Sequence, residues 1–105
     1  MAVIHRIRLR GWPFAPTDHG TKVFTRSFGA PRTVDADETV WLVCEIAPAN
    51  GSVLLNGVLI GAMVEGGPFA TEVTAILQTR NLATVEVPDA ESCLLEEMTL
   101  EFRKD

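Results

Sequence analysis

A chain of 105 residues has room for one hydrophobic core, so residues 1–105 are expected to form a single domain. Hydrophobic residues at 47% and charged residues at 22% are the proportions of a folded domain rather than a disordered chain, and the length excludes a catalytic (β/α)8 barrel, which takes roughly 250 residues. A net charge of −5 argues against nucleic acid as a partner, and no run of about 18 apolar residues offers a membrane-spanning helix.

The dominant period is two. Ile4 to Arg10 places Ile7 and Leu9 on one face and Arg6, Arg8 and Arg10 on the other, the pattern of a half-buried strand. Residues 1–10 lack the uninterrupted apolar stretch of a secretory signal, so the expected compartment is the cytoplasm. Gly11-Trp12-Pro13 breaks this strand, and residues 13–21, with Pro13, Pro16 and Gly20, read as a loop. Lys22 to Phe28 alternates again, with Phe24 and Phe28 on one side, and Gly29-Ala30-Pro31 ends it. Asp35 to Glu38 is an acidic turn, and Thr39 to Ala47 is an apolar strand with Val40, Leu42, Cys44 and Ile46 on one face.

Pro48 to Gly51 is a turn, and the Asn50-Gly51-Ser52 sequon is read as part of it. Val53–Leu55 and Val58–Ile60 flank Asn56-Gly57, a strong hairpin signal because both turn positions must accept positive φ. After the Gly66-Gly67-Pro68 loop, Phe69 to Val73 is a short strand, and Thr74 to Leu77 is expected to make one helical turn capped by Thr74. Asn81 stands where the chain enters the next strand, Leu82 to Val87, and its amide is expected to satisfy backbone groups that no ladder reaches. Met98 to Arg103 is the last strand.

About eight short strands separated by turns, with at most one helical turn, predict an all-β fold: a two-layer antiparallel β-sandwich of jelly-roll type. Its expected core is Ile7, Leu9, Phe24, Phe28, Leu42, Cys44, Val53, Leu55, Phe69, Val73, Leu77, Val85, Val87, Leu100 and Phe102. The first and last strands are expected to pair, with Arg6 and Arg8 facing Glu97, Thr99 and Glu101.

Sites of chemistry are few. His5 and His19 are the only histidines: His5 lies on the first strand, on the face of Ile7 and Leu9, and His19 in the Pro-rich loop, so no base for a nucleophile is evident. Cys44 and Cys93 are too far apart for the short pairing of a zinc site and are expected to be free thiols. The acids Asp35, Asp37 and Glu38, and the pair Glu96-Glu97, are read as solvated turn residues, so no catalytic residue, metal or cofactor is expected.

The middle of the chain resembles the jelly-roll sugar-binding domain of glycoside hydrolase family 2 enzymes, within the galactose-binding-domain-like superfamily. Five stretches carry the resemblance: Phe24-Thr25-Arg26-Ser27-Phe28, Val40-Trp41-Leu42, Val53-Leu54-Leu55-Asn56-Gly57 with Leu59 and Gly61, Gly66-Gly67-Pro68-Phe69, and Val73 to Val87 with Asn81. The resemblance spans residues 22–87 and implies the jelly-roll fold; the family's catalytic barrel is not in this chain.

It also implies a non-catalytic carbohydrate-binding-type module, accessory to a glycoside hydrolase, with a glycan as ligand. Trp12 and Trp41 are the candidate stacking rings, and Asp18 and His19, with Arg10, the candidate hydrogen-bonding groups. Trp12 is the better platform because it is expected in a loop, and Gly11 to Gly20 is expected to converge with Gly66 to Phe69 at one end of the sandwich. The alternative is a protein-interaction or scaffold domain that keeps the fold without a sugar site, its partner docking at Met63-Val64 beside the Gly-rich loop. The absence of tyrosine favours that alternative, since tyrosine offers a ring and a hydroxyl together.

Overall fold

A computed structural model describes residues 2–30, 33–90 and 93–105. Nine strands run in chain order: β1 (Ala2–Arg10), β2 (Phe14–Pro16), β3 (Thr21–Gly29), β4 (Glu38–Cys44), β5 (Gly51–Leu55), β6 (Val58–Met63), β7 (Phe69–Glu72), β8 (Arg80–Pro88) and β9 (Glu97–Lys104). They form two antiparallel sheets, ordered β1-β9-β4-β7 and β2-β3-β8-β5-β6. β5 pairs with β6, β4 with β7, β3 with β8 and β1 with β9. This is one long ribbon folded back at the β5–β6 hairpin and rolled into two layers, the jelly-roll arrangement. The hairpin itself turns at Asn56 and Gly57, with φ of 53° and 81°.

The alternation of side chains builds the core. β4 reads strictly buried and half-buried in turn, with Val40 and Leu42 at zero exposure, and β9 matches it with Met98, Leu100 and Phe102. Phe24, Val53, Leu55, Ala83, Val85 and Val87 meet them from the second sheet. The expected core members lie in this cluster, with Ile7, Phe28 and Leu77 packed at its margin. Trp12, Val40, Met63, Leu95 and Met98 join it as well. His5 shares the inner side of β1 and lies against the Phe102 ring, their centroids 5.6 Å apart.

Four expectations are corrected. The Pro-rich segment read as a loop contains β2, a three-residue edge strand paired to β3. Proline blocks a ladder bond only on its outer side there, which an edge tolerates. β4 ends at Cys44, so Ile46 leaves the alternation and stands 73% exposed. Residues 74–77 make the single turn expected, with the Ile76 and Leu77 N–H groups both on the Val73 carbonyl at 2.9 and 3.1 Å, but Thr74 does not cap it: its hydroxyl accepts the Val40 N–H at 2.9 Å. Met63 is core, 2% exposed, rather than a docking residue. Pro31, part of the expected break after β3, lies outside the described residues.

The two amides of Asn56 and Asn81 seal one end of the sandwich. Asn81 is 4% exposed. Its Oδ1 accepts from Gln78 N and Asn56 Nδ2 at 2.9 and 3.0 Å, and its Nδ2 donates to Gln78 O at 2.8 Å and Phe28 O at 3.5 Å. Asn56 in turn donates to Ile76 O at 3.1 Å and accepts the Leu82 N–H at 2.9 Å. The hairpin tip, the β7–β8 connection and the end of β3 are thereby joined through side chains where no ladder reaches. Among the described residues no buried side-chain nitrogen or oxygen lacks a partner.

Removing the Asn81 amide strands several buried backbone groups at once. Asn81→Ala is expected to lose about 2–4 kcal/mol in urea unfolding. A Cβ at Gly51 would stand 2.8 Å from both the Glu86 carbonyl oxygen and Val87 Cγ1. Gly51→Ala is therefore expected to cost about 1–3 kcal/mol in the same measurement.

Candidate functional site

β1 ends at Arg10, and Gly11, at φ 79°, reverses the chain in a conformation that side chains rarely adopt. The reversal folds Trp12 back under the strand it follows. Its ring is 5% exposed and its Nε1 donates to the Leu9 carbonyl at 2.8 Å, the partner a buried indole N–H requires. The expected stacking platform is thus a core residue. Trp41 points away from the core, as its place opposite Val40 and Leu42 dictates. Its Nε1 donates to Thr39 Oγ1 at 3.0 Å, and the Arg103 guanidinium lies 4.3 Å from the ring centroid.

Asp18 and His19 lie together on the turn before β3. Asp18 is fully exposed and His19 is 65% exposed at its side chain. His19 Nδ1 is 3.5 Å from Asp18 Oδ1, and Nε2 is 3.1 Å from Glu86 Oε2. Thr21 Oγ1 donates to the same Glu86 oxygen at 2.7 Å. The Thr21 hydroxyl and then His19 hold the Glu86 carboxyl below its ordinary value. Glu86 was not legible as part of this cluster: β8 alternation turns it outward, but only sheet pairing sets it beside the turn at 17–20.

The four expected site residues therefore occupy three places: the core, the outer face of the first sheet, and the turn at Asp18–His19. The segments Gly11–Gly20 and Gly66–Phe69 belong to the same end of the sandwich but to opposite edges. β3 and β6 are separated by β8 and β5, a width of roughly 14 Å at ordinary strand spacing. The expected convergence is corrected accordingly.

The outer face of the first sheet is a charged ladder set by the β1–β9 register. Arg6 pairs with Glu101 at 3.3 Å, and Arg8 and Arg10 both reach Glu97, at 3.3 and 3.1 Å. Glu101 also takes Arg103 at 2.9 Å. The expected Arg–Glu pairing of the first and last strands is present. A depression of about 370 Å³ on this face is lined by Arg6, Arg8, Glu97 and Glu101 together with Val43 and Ile46. Its arginines are already matched by carboxylates.

Nothing among the described residues groups three metal-ligating side chains. In the acidic turn, Glu38 is 4% exposed and its Oε1 accepts the Asp35 N–H at 2.9 Å, so this carboxylate closes its own turn. Cys44 and Cys93 are free thiols. Burial raises the Cys44 thiol above its ordinary value, a bond to the Ile46 carbonyl notwithstanding, so it stays protonated at neutral pH.

No family model and no curated protein matches the chain. Solved structures do. An FMN-binding β-glucuronidase from Facaelibacterium prausnitzii L2-6 is similar with TM-score 0.71 and 16% identity, over 94% of this chain and 23% of that one. A β-D-glucuronidase from Dictyoglomus thermophilum gives TM-score 0.71 and 12% identity, over 100% of this chain and 29% of that one. A Bifidobacterium dentium β-glucuronidase, complexed with coumarin-3-O-glucuronide, gives TM-score 0.63 and 25% identity, over 84% of this chain and 21% of that one. The chain thus spans less than a third of each. It has the fold of a β-sandwich domain contained in glycoside hydrolase family 2 glycosidases, in accord with the motif resemblance between residues 22 and 87.

The depressed Glu86 value gives a signed expectation. A carboxyl lowered in the folded state contributes stability above its unfolded value and loses it as pH falls through the folded one. Thr21→Val is expected to raise the Glu86 titration midpoint toward the ordinary carboxylate value, followed by side-chain carboxyl NMR, and to weaken the domain's pH dependence on that acid limb.

Proposed function

We propose that this domain is a non-catalytic accessory domain of the glycosidase type whose role is to bind another protein. The observation that carries the reading is Trp12: its ring is committed to the core and its N–H to Leu9, so the segment Gly11–Gly20 keeps only the half-exposed Phe14 ring, 5.1 Å from Lys22 Nζ. Trp41 is a poor substitute, since a sugar would have to displace Arg103 from its face. The structures sharing the fold carry it as a fraction of a longer chain, which fits a domain that works beside others. Its two free cysteines suit a reducing compartment, and we place it in the cytoplasm.

A glycan-binding reading rests on one feature, the exposed Asp18–His19 pair with Glu86 in reach. NMR titration with galactosides, glucosides and mannosides separates the two. The interaction reading expects no clustered shifts at high millimolar sugar, where affinities of about −4 kcal/mol would register. Saturable shifts centred on residues 18, 19 and 86, abolished by His19→Ala, would overturn it in favour of sugar binding.

A further inference from the structure

The β4–β5, β6–β7 and β8–β9 connections all lie at the end of the sandwich opposite the Asn56–Asn81 seal. Three large apolar residues project from them: Ile46 is 73% exposed, Val64 67% and Leu94 65%. Their exposure is held in place. Ala47 N donates to Gly67 O and Gly66 N to Ala47 O, each at 2.9 Å, and Glu65 N donates to Asn50 Oδ1 at 2.9 Å. Leu95, beside Leu94, is 5% exposed and anchors the third connection, and Lys22 Nζ donates to the Cys93 carbonyl at 3.3 Å. Ile46, Pro48, Leu94, Leu95, Glu96 and Glu97 line one groove of about 310 Å³. That volume is at the low end of ligand sites, roughly 300–1,000 Å³.

The charge around the groove has one sign. The described residues of these connections, 45–50, 64–68, 89–90 and 93–96, contain Glu45, Glu65, Asp89 and Glu96 and no lysine or arginine. The cations at this end are engaged: Lys22 Nζ donates to the Cys93 carbonyl, and Arg8 and Arg10 are matched by Glu97. A second copy of this chain would set the same carboxylates against each other, which opposes self-association. A sugar would meet aliphatic walls without a ring. What fits is an apolar side chain flanked by positive charge.

Resting on the interaction role above, we propose that this loop end docks a basic, apolar segment of a partner protein: an apolar side chain enters between Ile46, Pro48 and Leu94 while its lysines or arginines face Glu45, Glu65 and Glu96. Selection of random peptides displayed on phage against the intact domain tests this. The enriched pool is expected to be basic and rich in large apolar residues. A synthetic peptide from it should shift amides of residues 45–47, 64–66 and 94–96, and should bind at least about tenfold more weakly to Ile46→Ser/Leu94→Ser and to Glu45→Gln/Glu96→Gln. Leu59→Ser removes an equally exposed side chain, 66%, from β6 and should leave binding unchanged. Urea midpoints of all variants verify folding. A neutral or acidic pool, or full binding by Ile46→Ser/Leu94→Ser, overturns the proposal. Peptides that bind elsewhere overturn it while leaving the interaction role standing; sugar shifts with no peptide binding overturn both.

Discussion

Rolling a single ribbon into two sheets leaves the connections at its ends without ladder partners, and the Asn56–Asn81 amide pair is what satisfies them at one end. A carboxamide carries both donors and an acceptor, so two of them suffice to join the hairpin tip, the β7–β8 connection and β3. The sharp turn at Asn56-Gly57 brings Asn56 within reach of Asn81, 25 residues on. With that end sealed by local chemistry, the opposite end is the one whose connections are free to present side chains.

The consequences run outward through the register. Pairing β1 with β9 sets alternate arginines against alternate glutamates, which covers the first sheet's outer face with matched charge. Pairing β4 with both β9 and β7 buries Val40 and Leu42 completely. Where β4 stops, the alternation that hid its apolar residues stops too, and Ile46 emerges. An exposed aliphatic residue beside carboxylates is therefore a product of strand length, and it falls at the end of the sandwich that the amide pair leaves open.

The glycosidase domains share the fold and little sequence, and a shared fold leaves the site to be argued from its own residues. In this chain the residue that decides is Trp12. A tryptophan in a loop at the sandwich rim is well placed for a sugar ring; the same tryptophan turned inward by Gly11 becomes part of the wall that joins β1 to the core. The energetic reason is plain: burying an indole removes a large apolar surface from water, and the Leu9 carbonyl meets its only polar group.

Period-two patterning decided, from the residues alone, the buried faces of β1, β3, β4 and β9 and that Trp41 points outward; turn chemistry placed the hairpin at Asn56-Gly57, and the expected jelly roll set the Arg and Glu rows together across β1 and β9. Those are local or pairwise consequences of strand geometry. The amide of Asn81 was legible as a backbone partner, though not the residue it would meet. Tertiary structure decided the rest: that Pro13 to Pro16 could serve as an edge strand, that Thr74 would bond across to Val40, that Glu86 would meet His19, and that Trp12 would turn inward. It also set the Gly11–Gly20 and Gly66–Phe69 segments at opposite edges. Alternation specifies a side of a strand, whereas these outcomes depend on where the chain travels between strands and which strand lies beside it, and that path is settled by packing among residues far apart in sequence.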